Sequence, residues 1–204
     1  MADIDIYKTI EHACEGIYKE KGSKFISYAF PVYSEEEIKE HVSELKKKYY
    51  DARHHCFAWQ LGVDGAKHRA NDDGEPSGTA GKPIHGQIRS HDLSNVLIVV
   101  IRYFGGTKLG TSGLIHAYKE ASIDALNNGS IIEKTVNDFY RVNFDYGVMN
   151  DIMKIMKEEN PNIITQDFNL RCSIDWNCRQ SLTERIVAKL KKVESVDLEF
   201  LKTA

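Results

Sequence analysis

Residues 96–101 form an unbroken apolar run, mostly β-branched. The run is too short to span a bilayer and the right length for a strand buried on both faces. Further on, Leu114, Tyr118, Ala121 and Ala125 recur at helical spacing until Asn127, Asn128 and Gly129 stop the pattern. Between strand and helix lie Gly105, Gly106, Gly110 and Gly113. The stretch 95–118 therefore reads as a central strand feeding a glycine-rich loop that opens a helix. Upstream, Phe25, Ile26, Tyr28 and Phe30 follow the turn sequence at 21–24, which predicts a hairpin over 16–30. Ser34 and Glu37 form a capping box ahead of a helix with the apolar stripe Ile38, Val42, Leu45 and Tyr49. Lys46, Lys47 and Lys48 suit that helix's negative end. Residues 54–61 read as a strand closed by a turn at Asp64 and Gly65. The stretch 67–83 is polar and long for a connector, which marks it as functional or disordered. A short helix is expected over 84–89.

The composition changes after Gly129: all eight histidines lie at or before His116, and only one of fourteen glycines, Gly147, follows Gly129. From there the pattern predicts strand 140–146, helix 148–158, strands 163–168 and 171–176, helix 182–192 and strand 196–201. That order is βαββαβ, the split-βαβ or ferredoxin-like plan. The expected division is an α+β chain with domains at 1–136 and 137–204.

Charged residues make up 28% and hydrophobic ones 42%, with a net charge of −3, an ordinary globular composition. The charge argues against a uniformly basic binder, so any nucleic-acid surface must be a local patch. The first residues lack the basic-then-apolar form of a secretory signal, and no membrane segment is expected, which makes a cytoplasmic location the default. Cys14, Cys56, Cys172 and Cys178 show no Cys-x-x-Cys spacing and read as free thiols, with Cys56 a small core residue.

Four stretches can carry chemistry. The glycine loop is neither a Walker loop, since Thr111 stands where lysine is required, nor a dinucleotide fingerprint. Its glycines allow close backbone approach, Arg102 and Lys108 supply charge, and Thr111 or Ser112 can cap the helix. Together they suit a phosphate at the helix start. The alternative is a tight strand-to-helix turn. In the loop at 69–81, Asp72, Asp73 and Glu75 can hold magnesium, and Ser77 and Thr79 can reach a phosphate; the same residues are also ordinary turn formers. His54 and His55 point to opposite faces of a strand, so only one can serve a given site, and His55 is either an acid–base or base-stacking residue or, the preferred reading, a satisfied core or edge histidine. His116 shares that ambiguity. Trp176, Arg171 and Arg179 can form a basic–aromatic sheet face, although a packed sheet with one half-buried tryptophan is the preferred reading.

Three blocks resemble the IMPACT/YigZ family: 51–56, 71–83 and 102–114, joined by the pattern at 21–25. The resemblance covers about residues 15–128, and the second domain is similar to the smaller C-terminal domain of bacterial members. It implies a first domain with the left-handed β-α-β fold of ribosomal-protein domain 2, and a second like the ferredoxin-like C-terminal domain of elongation factor G. Eukaryotic members restrain an initiation-factor kinase through an additional domain, a role not carried to this chain. For bacterial members the resemblance implies nucleic-acid or ribosome association. Asn71, Thr107, Ser112 and His116 depart from the family's usual residues.

These readings lead to a non-enzymatic protein that binds RNA or the ribosome and modulates translation, without a cofactor or bound metal. Arg69, Arg102 and Lys108 would contact phosphates over Gly105, Gly106 and Gly110. The alternative is a magnesium-dependent enzyme acting on a phosphorylated small molecule. A third is a protein-interaction module.

Overall fold

The computed structural model describes residues 5–169 and 171–204. The chain forms two compact units, one of Tyr7–Lys134 and one of Thr135–Ala204 with Asp5 and Ile6. The sequence reading has Asp5 in the first. In the structure its carboxylate accepts from Arg179 Nε and Nη2, both at 2.7 Å, and from the Ser181 N–H at 3.1 Å.

Through the first unit run β1 (Ile6–Ile10), β2 (Cys14–Glu20), β3 (Ser23–Pro31), α1 (Glu35–Lys48), β4 (His54–Leu61), β5 (Lys67–Asn71), α2 (Gly81–Ser90), β6 (Val96–Tyr103), α3 (Gly110–Asn127) and β7 (Ile131–Thr135). β1 pairs with β7 in a two-stranded sheet, and the main sheet has the order β2-β3-β6-β4-β5. All four neighbour pairs in that main sheet are antiparallel. The expected hairpin is β2–β3, turning through Lys21 and Gly22, both at positive φ, with Glu20 opposite Ser23. Two left-handed residues are what a tight hairpin turn requires.

β6 is the middle strand, and its period of two divides it between two cores. Val96, Ile98 and Val100 join Ile84 and Ile88 of α2 and Leu114, Tyr118 and Ala121 of α3. Leu97, Val99 and Ile101 join Ile38 and Leu45 of α1. Each such side chain contributes about 1.5–3 kcal/mol by leaving water, so a one-residue slip of β6 would exchange every partner. The α1 cap departs from the box in one detail. Ser34 Oγ accepts from Glu37 N at 3.2 Å, but the Glu37 carboxylate accepts from the N–H of Tyr33, one residue earlier than the box prescribes.

Two elements differ from expectation. Residues 67–71 are not part of a connector but the edge strand β5, and their polar character reflects an edge exposed along nearly its whole length. α2 begins at Gly81 rather than Ile84, because its cap comes from Asp72, eight and nine residues away. Asp72 Oδ1 accepts from Ala80 N at 3.0 Å and Gly81 N at 2.8 Å, and Oδ2 from Gly78 N at 2.8 Å.

The second unit follows the order βαββαβ: β8 (Asn137–Phe144), α4 (Met149–Glu159), β9 (Asn162–Asp167), β10 (Cys172–Arg179), α5 (Gln180–Leu190) and β11 (Val196–Thr203). Its antiparallel sheet has the order β11-β8-β10-β9. Val142, Phe144, Ile174 and Trp176 pack with Ile152, Met156, Ile186 and Leu190. Trp176 is fully buried and stacked on Tyr140 at 5.2 Å, not half-buried as expected. It offers nothing to a basic–aromatic face, and Arg179 is engaged by Asp5.

Candidate anion-binding site

Arg102 continues the row of Ile98 and Val100 past the end of the apolar run, so it emerges on the face covered by α2 and α3. Its cross-strand neighbours are Phe25 on β3 and His54 on β4. The guanidinium lies over the rings of Phe25 at 5.5 Å and Phe104 at 5.6 Å. Its Nη1 donates to Glu75 Oε1 at 2.6 Å, with both side chains more than nine-tenths buried. Tyr118 of α3 donates its hydroxyl to the same Glu75 oxygen at 2.9 Å, and the Cys56 thiol lies 3.3 Å from the Tyr118 oxygen and 2.9 Å from the Asp72 carbonyl. Burial, then the neighbouring Cys56 and Glu75, push the Tyr118 phenol far up. Burial likewise raises the Cys56 thiol, so Cys56 is a core donor and no nucleophile.

Above this buried chain of polar groups opens a cavity of about 430 Å³. Its wall combines Arg53, His54, Arg102 and Lys108 with Gly110 and Thr111 of the first turn of α3. That turn is unusual for a helix of 18 residues. Its N-cap position is Leu109, no side chain caps it, and its first turn holds no acidic residue. Thr111 and Ser112 lie inside the turn, which overturns the expectation that one of them caps it. The first four N–H groups of a helix have no intrahelical partner, and with the helix dipole they favour an anion. Arg53 and Lys108 are exposed and, among the described residues, neither is in an ion pair. His54 Nδ1 lies 2.9 Å from the Asp73 carbonyl oxygen. Since a carbonyl only accepts, Nδ1 carries the proton.

Residues 21–126 match the family model described as Impact N-terminal domain. The chain belongs to the IMPACT family. It is 36% identical over 152 residues to the IMPACT family member YvyE of Bacillus subtilis (strain 168), covering 74% of this chain and 70% of the relative. It is 35% identical over 150 residues to the IMPACT family member YigZ of Escherichia coli (strain K12), covering 72% of this chain and 74% of the relative. The crystal structure of a hypothetical protein is similar in fold over 98% of each chain, with a TM-score of 0.72 at 28% identity.

The blocks that carry the IMPACT resemblance meet in this structure, since Glu75 of one is bonded to Arg102 of another. Their residues divide by role. Arg102 is not the free phosphate ligand expected, because Glu75 takes its Nη1; its Nε, however, is buried without a partner. Arg69 pairs with Trp59 on the opposite face of the sheet and lines a separate groove with Lys46, Lys47 and Tyr50. It is not part of this site. His55 faces α1, its Nε2 3.1 Å from the Tyr49 carbonyl, and burial lowers its pKa. The histidine at the cavity is His54.

The magnesium reading fails on geometry. Asp72 is occupied by three backbone N–H groups, Asp73 by the His55 N–H at 2.7 Å and by Lys46 at 3.2 Å, and Glu75 by Arg102 and Tyr118. Three carboxylates pointing three ways hold no common cation. Thr79 donates to the Pro76 carbonyl at 2.7 Å, and Ser77 is exposed outside the cavity wall. Gly105 serves packing, since a Cβ there would lie 1.9 Å from the Gly22 carbonyl carbon. Gly106 and Gly110 serve positive φ, at 90° and 73°. The glycines build the turn, and the case for an anion rests instead on the uncapped helix. Arg53, His54 and Phe104 are cavity residues that the sequence reading does not place in this site, while Thr111, expected there as a cap, lines it from inside the turn. For His54 the signal was available, because it shares the face of Cys56.

Proposed function

We propose that this chain is a non-enzymatic, cytoplasmic RNA- or ribosome-associated protein that modulates translation, holding phosphate groups at the start of α3. The observation that carries the reading is the uncapped first turn of α3 opening onto a cavity flanked by unpaired Arg53 and Lys108. With Glu75 opposite Arg102, the deep charge is neutralised within the wall, and attraction comes from the two rim cations and the helix terminus. A local patch of this kind is compatible with a net charge of −3.

The reading places the chain among the bacterial YigZ-type members of its family. The order βαββαβ and the sheet order β11-β8-β10-β9 support a ferredoxin-like second unit like the C-terminal domain of elongation factor G. The first unit is read as the left-handed β-α-β fold of ribosomal-protein domain 2. No specific observation favours the rival small-molecule enzyme once its three carboxylates are accounted for.

Fluorescence anisotropy with a labelled structured RNA tests the reading. Affinity should fall steeply with added salt, and Arg53→Ala and Lys108→Ala should each lower the log–log salt slope by about 1. An affinity indifferent to salt, or no binding at micromolar protein, would count against it.

A further inference from the structure

The cavity at the start of α3 is lined mostly by apolar surface, from Pro76, Phe104, Leu109 and Leu114. A bare phosphate has no use for that surface, since donors and charge hold an inorganic anion. Phe104 stands 58% exposed at this wall, with the Arg102 guanidinium 5.6 Å from its ring centre. Arg102 itself is 7% exposed, and among the described residues only its Nη1 is hydrogen-bonded. A largely buried guanidinium on a cavity wall, with donors left unmet, calls for an acceptor. An uncapped helix start, a guanidinium with unmet donors and an accessible aromatic ring thus share one cavity. That combination recognises a ligand with an anionic end and a flat apolar part.

We infer that this cavity takes one unpaired nucleotide of a single-stranded RNA, its phosphate at the amides of residues 110–112 and its base against Phe104. The inference rests on the anion-site reading above and names the form of RNA that the site selects. A volume of about 430 Å³ is near the low end of ligand pockets, which run from about 300 to 1,000 Å³. That volume suits one nucleotide. In duplex RNA the base faces are stacked out of reach and only groove edges and backbone are offered. Phe104 can therefore contribute only to an unpaired base, whichever base that is.

The test compares a short single-stranded RNA with the duplex of the same sequence, bound by the full chain at fixed low salt. The single strand should bind at least about tenfold tighter. Phe104→Ala should weaken single-strand binding by about 5- to 150-fold and leave duplex binding unchanged, while Phe104→Tyr should restore it. Adenosine monophosphate should displace the single strand at concentrations where inorganic phosphate does not. Because Phe104 is exposed, its truncation should leave the thermal melt in place. Equal binding of single strand and duplex with no effect of Phe104→Ala would overturn the inference. The anion site would survive that result if Lys108→Ala and salt still weakened both. No binding of either RNA would overturn both.

Discussion

At the scale of single residues, the buried row Cys56, Tyr118, Glu75 and Arg102 joins the sheet to α3 and to the loop before α2 by hydrogen bonds. Tyr118→Phe removes one hydroxyl from it and leaves the Glu75 oxygen one donor short. A bond to a carboxylate of this kind is worth about 1.5–3 kcal/mol, a loss that urea unfolding should register. Glu75→Ala should cost more, about 3–5 kcal/mol, because it strands the Arg102 charge in the interior. His55 adds a pH term. Burial holds its pKa below the usual value, against the opposing effect of the Tyr49 carbonyl. The unfolded chain therefore takes up a proton first as pH falls through about 6.5. Stability should be full above that pH and decline toward the depressed folded value, with the NMR titration midpoint of His55 below the ordinary one. Cys56 as a core residue was legible from its place in a strand pattern. The engagement of Arg102 was not, because its partner lies 27 positions away and local pattern is blind to it.

At the scale of elements, the sequence reading succeeds where apolar spacing is dense and fails where polar groups set the boundary. β6 and α3 declare themselves by period, and so do α1 and the βαββαβ order of the second unit. β5 shows no alternation because an edge exposed along its length has no apolar face to display. α2 begins early because a distant carboxylate caps it. Asp72→Ala leaves three backbone N–H groups without that acceptor and should cost about 2–3 kcal/mol, measured by urea unfolding. Burial works to raise the Asp72 pKa, but the bonds from Gly78, Gly81 and Ala80 outweigh it and hold the carboxyl below its usual range. This contribution is therefore complete above about pH 4 and is lost as pH falls through the folded value. The glycine loop was legible as a special turn, but not in its division of labour. Gly105→Ala puts a methyl group into the Gly22 backbone and should destabilise by about 3 kcal/mol or more.

At the scale of the whole molecule, each unit carries one tryptophan, Trp59 in the α1-side core of the first and Trp176 in the core of the second. Variants keeping one or the other report the two units separately by fluorescence. Asp5→Asn should lower the urea midpoint seen by Trp176 more than that seen by Trp59, because Asp5 is bound to Arg179 and Ser181 of the second unit. The bond from Arg179 holds the Asp5 carboxyl far below the usual range, against the effect of burial. Its support is thus present above about pH 4 and lost under stronger acid.

The first unit offers two basic places on opposite faces of its sheet, the start of α3 and the groove of Lys46, Lys47 and Arg69. Of the two, the first joins an uncapped helix to a guanidinium with unmet donors. A nitrogen–proton NMR titration of the full chain with single-stranded RNA decides between them. The amides of residues 110–112 should move furthest, with Arg53 and Lys108 beside them and the groove lined by α1 little changed. Shifts confined to Lys46, Lys47 and Arg69, with the start of α3 silent, would contradict the account.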